Sequence, residues 1–140
     1  MRVLFDTNVI LDLLLDRSEF VDDASVLISK VDTNEIDGFL CATTITTIHY
    51  LLEKSLNTTQ AAKHIKTLLN IFDIAPVSSE TLEKALNPKF TDYEDSVLHE
   101  AALAVDVDSI VTRDYSGFKN SKIPAYTPKE LIAILALNNK

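Results

Sequence analysis

Short apolar, β-branched runs recur along this chain with helically spaced stretches between them, and that alternation admits few folds. Residues 2–5, 38–42, 72–75 and 109–112 read as strands. Residues 8–16 carry Val9, Ile10, Leu13 and Leu14 at helical spacing, and residues 20–31 form a second helix. Residues 43–54 place Ile45, Ile48, Leu51 and Leu52 on one face, and residues 59–69 follow a cap at Thr58 or Thr59. A short helix over 79–86 stops before Pro88. Residues 91–105 open on the capping-box pattern Thr91-Asp92-Tyr93-Glu94, and residues 128–137 begin with Pro128 in the first turn. Strands joined by helical crossovers pair in parallel and need helices on both faces. The expected fold class is therefore α/β, a three-layer α/β/α sandwich with a four- or five-stranded, mainly parallel sheet. At 140 residues the chain suits a single domain spanning 1–140.

Composition removes several functions. Only Gly38 and Gly117 are glycine, so phosphate-cradling glycine-rich loops are absent. Cys41 is the one cysteine, which excludes an internal disulfide and fits a reducing compartment. Asp6, Asp12 and Asp16 break up the first apolar stretch, which is not a signal peptide, and no apolar run approaches the ~20 residues that cross a bilayer. A cytoplasmic protein with no membrane association is expected. The 21 acidic and 13 basic residues give a net charge of −8, opposite to that of most proteins that grip nucleic acid by its phosphates. A nucleic-acid enzyme of this charge needs bound metal to supply positive potential.

In open α/β sheets ligands bind beyond the carboxyl ends of the strands. Asp6 directly follows the first strand, and Asp114 follows the strand over 109–112. Asp92, Glu94 and Asp95 open the helix that precedes that strand, and so start near the same edge. Gathered carboxylates repel one another until a divalent cation joins them, and oxygen-only ligands favour Mg²⁺ or Mn²⁺. Such a cation turns bound water into a nucleophile and stabilises charge on phosphate. Each acid also has an ordinary use: Asp6 as a helix cap, Asp114 as a turn residue, Asp92 and Glu94 as capping and dipole residues. On a helical wheel whose apolar face is Val97, Leu98, Ala101 and Val105, Glu94 lies nearest the face centre, Asp95 on its flank, and Asp92 away from it.

Other chemistry finds less support. His49, His64 and His99 stand singly, without a second ligand at metal spacing. No serine or cysteine sits in a nucleophile elbow. Lysines 119 and 122 follow the Asp114 segment in a loop. A phosphoacceptor receiver domain needs an acidic pair after its first strand, where Asp6 is alone; a haloacid-dehalogenase-type phosphatase needs an aspartate where Asn8 stands.

The segments Val3-Leu4-Phe5-Asp6-Thr7-Asn8, Asp92-Tyr93-Glu94-Asp95 followed by Ala101-Ala102, and Val111-Thr112-Arg113-Asp114 followed by Phe118 resemble, in order and spacing, those of PIN domains. The resemblance covers nearly the whole chain. It implies a Mg²⁺- or Mn²⁺-dependent ribonuclease cleaving single-stranded or looped RNA, the VapC-like toxin of a toxin–antitoxin pair. It makes Asp6, Asp95 and Asp114 the catalytic, metal-binding acids and Asp92 an auxiliary one, with Asn8 and Thr112 as polar supports. A protein antitoxin and a second copy of the chain are the implied partners. The terminal helix, with Leu131, Ile132, Ile134, Leu135 and Leu137, offers apolar surface for the homodimer. One position departs from the family. Most PIN domains carry a glutamate early in the third helix, where alignment here puts Thr47; Glu53 lies six residues on and off that face. A vacant ligand position at Thr47 implies modest metal affinity. The alternative reading is a PIN-like RNA- or protein-binding scaffold with weak or no nuclease activity.

Overall fold

β1 (Arg2–Phe5) is the central strand of one sheet in the computed structural model, which describes residues 1–138. β2 (Asp37–Cys41) and β3 (Asp73–Ala75) extend the sheet on one side, and β4 (Ser109–Val111) and β5 (Ala125–Tyr126) on the other. The order is β3-β2-β1-β4-β5, with every neighbouring pair parallel. Leu4 stands opposite Phe39 on one side and Ile110 on the other, and Phe5 opposite Val111. β5 did not stand out in the sequence because a two-residue strand has no period to read.

Seven helices lie among the described residues: α1 (Thr7–Leu14), α2 (Val21–Asp32), α3 (Ala42–Ser55), α4 (Thr58–Ile71), α5 (Ser79–Lys84), α6 (Tyr93–Ala104) and α7 (Pro128–Asn138). A 3-10 turn occupies Tyr115–Phe118. Alternate side chains of each strand point to opposite faces, and both faces are covered. Val3, Phe5, Leu40 and Val111 join Ile10, Leu27, Ile48, Leu68 and Leu131 from α1, α2, α3, α4 and α7. Leu4, Phe39, Cys41 and Ile110 join Val97, Leu98 and Ala101 of α6 and Phe118. Burial on both faces is why the strands read as unbroken apolar runs. Gly38 allows the close packing of β2: a Cβ there would lie 2.7 Å from Val31 Cγ1 and 2.8 Å from the Phe72 ring.

Caps differ from the sequence reading in two places. α4 starts from Asn57, whose side chain accepts from Gln60 N at 2.8 Å, in place of Thr58 or Thr59. α6 starts from Asp92, which accepts from Asp95 N at 3.1 Å, so the box opening on Thr91 does not form. The shift by one residue makes Asp95 the third helical residue and leaves Glu94 out of the capping arrangement. In α7, Leu131 and Leu135 belong to the core and Ile132 packs against it, while Leu137 stays exposed. Most of the apolar surface considered for a dimer thus serves the core. No helix among the described residues is long and apolar enough to cross a membrane.

After β1 the chain builds β2 and β3 on one side, then crosses to β4 on the other. The strand order therefore reverses between β1 and β4, where such sheets open a binding crevice. One ion pair ties this junction together. Asp12 of α1 is fully buried and accepts from Arg113 Nε at 2.6 Å and Nη2 at 3.1 Å, and from Arg17 Nη1 at 3.3 Å. The Arg113 guanidinium also lies 3.8 Å from the centre of the Phe20 ring. Because Asp12 leaves water entirely and Arg113 in part, the pair is costly to break from one side. Asp12→Ala, which strands Arg113 in a partly buried site, is expected to destabilise the fold by about 1.5–3 kcal/mol, the scale of lost hydrogen bonds to a charged group. Urea unfolding measures this, and a loss below about 1 kcal/mol, the scale of an exposed pair, would contradict it.

Candidate metal centre

Asp6 leaves β1 with its backbone N–H still bonded to Val111 O at 2.9 Å, so the β1–β4 ladder carries it to the crevice. Its carboxylate is nearly buried. Oδ1 accepts from Thr7 N at 2.8 Å, capping α1, and Oδ2 accepts from the buried Thr112 hydroxyl at 2.7 Å. The Asn8 amide gives Oδ2 a longer contact of 3.4 Å, and Asn8 Oδ1 accepts from Arg113 N at 3.5 Å. Capping and site formation are one and the same use of Asp6. Thr112 Oγ1 also accepts from Asp114 N at 2.9 Å, so a single hydroxyl links the acid after β1 to the acid after β4. Asp114 Oδ1 in turn accepts from Ser116 Oγ at 2.8 Å and Gly117 N at 3.3 Å.

These groups border a cavity of 260 Å³ lined by Asp6, Thr7, Asn8, Leu11, Thr47, Asp92, Glu94, Asp95, Leu98 and Asp114. The four acids assigned to the metal from the sequence, Asp6, Asp92, Asp95 and Asp114, all reach it, as do Asn8 and Thr47; Thr112 stands behind Asp6. Five carboxylates face one hollow, and no lysine or arginine is among the lining residues. Arg113, which sits between Thr112 and Asp114 in sequence, is held by Asp12 and Phe20 instead. The electrostatic cost is visible at two groups. Burial pushes the Asp6 carboxyl above its ordinary value; the bonds from Thr112 and Thr7 oppose this, and Asp114 and Glu94 add to it. Asp95 is pushed from 3.8 to about 7, by burial first and then by Asp6, Asp92, Asp114 and Glu94.

Two residues of this site were not assigned to it from the sequence, although Glu94 was placed at the same edge. Gly117 lies so close that a Cβ there would sit 2.6 Å from Asp95 Oδ2 and 2.9 Å from Asp114 Oδ2. The sequence showed only a turn glycine. Glu94 lines the hollow and accepts a hydrogen bond from the Thr47 hydroxyl at 3.2 Å. Its position near the centre of the helix face was the available signal, masked by the apparent capping box.

The donor set suits a hard divalent cation: the polar lining groups are oxygen donors with one amide, and the negative charge has no internal counterion. Among the described residues no three acidic, histidine or cysteine side chains already form a closed metal cage. The acids instead border an open hollow. None of the histidines lines it. His99 is packed against Phe90 at 4.8 Å between ring centres, accepts from Lys122 N at 3.1 Å, and has its pKa lowered by burial. Lys119 and Lys122 border a separate cavity with Tyr115. A larger hollow of 610 Å³ beside α5 and α6 has mixed charges, with Lys84 paired to Glu80 at 2.8 Å, and no convergent set of like groups.

Comparison with known proteins agrees with this geometry. Ribonuclease VapC1 of Aquifex aeolicus (strain VF5) is 28% identical over 134 residues, covering 92% of each chain. Among solved structures, VapBC2 from Rickettsia felis, bound to a DNA fragment from its promoter, superposes with a TM-score of 0.68 at 14% identity, covering 89% of this chain and 97% of that one. FitAcB from Neisseria gonorrhoeae superposes with a TM-score of 0.65 at 19% identity, covering 91% and 98%. These structural matches establish a shared fold. The family model described as PIN domain matches residues 2–116, from β1 through the Asp114 turn and so across every acid of the hollow; the chain belongs to the PIN domain family.

Proposed function

We propose that this chain is a Mg²⁺- or Mn²⁺-dependent endoribonuclease, acting as one cytoplasmic domain on single-stranded or looped RNA, and the toxin of a toxin–antitoxin pair. The observation that carries the reading is the convergence of five uncompensated carboxylates at the β1–β4 reversal. The ribonuclease among its relatives and the toxin–antitoxin complex among its structural neighbours support the same class. RNA, a protein antitoxin and a second copy of the chain are its proposed partners. A scaffold without chemistry is the reading that Thr47 alone would favour. The crowding of acids against Asp95 weighs against it, since a binding surface for anionic RNA gains nothing from unrelieved negative charge.

Asp6, Asp95 and Asp114 would hold the cation, with Asp92 as an auxiliary acid. When bound, it supplies an activated water for attack on the phosphodiester and positive charge for the phosphate. The chain's own groups set the geometry. Thr112 holds the Asp6 and Asp114 strand ends in one register. Ser116 Oγ and Gly117 N fix one Asp114 oxygen, leaving the other without a hydrogen bond among the described residues. Asp92 orders the first turn of α6, and with it Asp95. Leu11 and Leu98 give the hollow an apolar wall.

Asp6→Asn and Asp114→Asn are each expected to lower Mn²⁺-dependent RNA cleavage by at least about a hundredfold, the scale on which loss of one charge-stabilising group acts. Circular dichroism should show the fold intact. Cleavage by both variants at the wild-type rate would overturn the assignment.

A pH dependence follows from Asp95. Its folded-state pKa, about 7, exceeds the ordinary 3.8, so the folded chain binds the proton more tightly than the unfolded chain. Between those values the unfolded state holds fewer protons, and stability falls as pH rises. Asp6 shifts in the same direction. In chelator, the melting temperature is expected to fall from pH 4 to pH 7, and Asp95→Asn should flatten the fall. A wild-type melting curve that rises across this window, or an unchanged slope in the variant, would contradict it.

A further inference from the structure

We infer that Glu94 is a metal-binding acid of this centre and that Thr47 is its positioning partner, so that the carboxylate missing from α3 is supplied across the hollow by the first turn of α6. This rests on the metal-dependent nuclease reading above.

The structure links the two positions directly. Thr47 Oγ1 donates to Glu94 Oε1 at 3.2 Å, and both residues line the hollow shared by Asp6, Asp95 and Asp114. Glu94 is not needed elsewhere. The cap of α6 belongs to Asp92, and Glu94, second in the helix, cannot perform the reach-back of a capping-box acid at the third position. Among the described residues Glu94 forms no ion pair, and its hydrogen bond uses one oxygen. The exchange also explains why position 47 is threonine. A hydroxyl can donate to a carboxylate that stays charged, whereas a glutamate at 47 would set two carboxylates against each other. Position 47 thus complements the acid at position 94.

The test is a Mn²⁺ titration followed by the rise in melting temperature, on the full chain and its variants, with chelator as baseline. Wild type is expected to be stabilised by Mn²⁺ and Asp6→Asn to lose the response. Thr47→Val should weaken apparent affinity roughly tenfold, as loss of a ligand-orienting partner does, and Glu94→Gln by at least as much. The double variant Thr47→Glu with Glu94→Gln should recover to near wild type, because it returns the carboxylate to the same gap from the α3 side. A purely structural use of Glu94 would move the chelator baseline and leave the Mn²⁺ dependence unchanged. Glu94→Gln with wild-type Mn²⁺ affinity, beside an unresponsive Asp6→Asn, would overturn this inference and leave the nuclease reading intact. Failure of the double variant to exceed Glu94→Gln alone would overturn the exchange. Absence of any Mn²⁺ response in the wild type would overturn the metal reading, and the inference with it.

Discussion

Like charges crowd the β1–β4 reversal, and much of the surrounding structure offsets their repulsion. Asp6, whose pKa is raised, and Asp114 are held in place by donors that carry no full charge. These are the Thr112 hydroxyl, the Thr7 amide and, for Asp114, the Ser116 hydroxyl and Gly117 amide. Asp6 and Asp92 also stand at the N-termini of α1 and α6, where the helix dipole favours negative charge. Neutral donors and dipoles fix the carboxylates without neutralising them. A lysine in their place would fill the hollow with a permanent counterion.

The same logic accounts for Arg113. Its place between Thr112 and Asp114 would let a flexible cation fold back onto the acids. Asp12, itself fully buried, removes it, holding the partly buried guanidinium by two hydrogen bonds, with Phe20 against its face. The pair therefore does two things: it fixes the loop after β4 to α1, and it leaves the hollow's negative charge available to a cation. Burying an ion pair rarely adds stability over an apolar substitute. Its value here lies in the geometry it imposes on two elements that carry acids.

The sheet and the acids at its edge were legible because they depend on local pattern. β1 and β4 are buried on both faces and read as apolar runs; Asp6 follows β1 directly, and Asp114 comes three residues after the end of β4. What escaped depends on contacts between distant segments. Asp12 looked like a polar interruption of α1 because its partner lies 101 residues away. Gly117 looked like a turn residue, and only the approach of Asp95 from α6 shows why a side chain is excluded. β5 was too short to register. The Thr91 box was a false local signal: Asp92 is an equally good cap, and the helix starts one residue later.

Thr47 shows the limit of carrying a site across a family position by position. Alignment compares columns along the chain, so a threonine where relatives have an acid reads as a loss. A cation responds to oxygen donors around a point in space and is indifferent to the helix that sends them. α3 and α6 border the same hollow, and a side chain from either can enter it. The hydrogen bond from Thr47 to Glu94 joins the two columns. Acid count at the crevice, across all elements that border it, is therefore a sounder measure of catalytic capacity in such a fold than identity at any one aligned position.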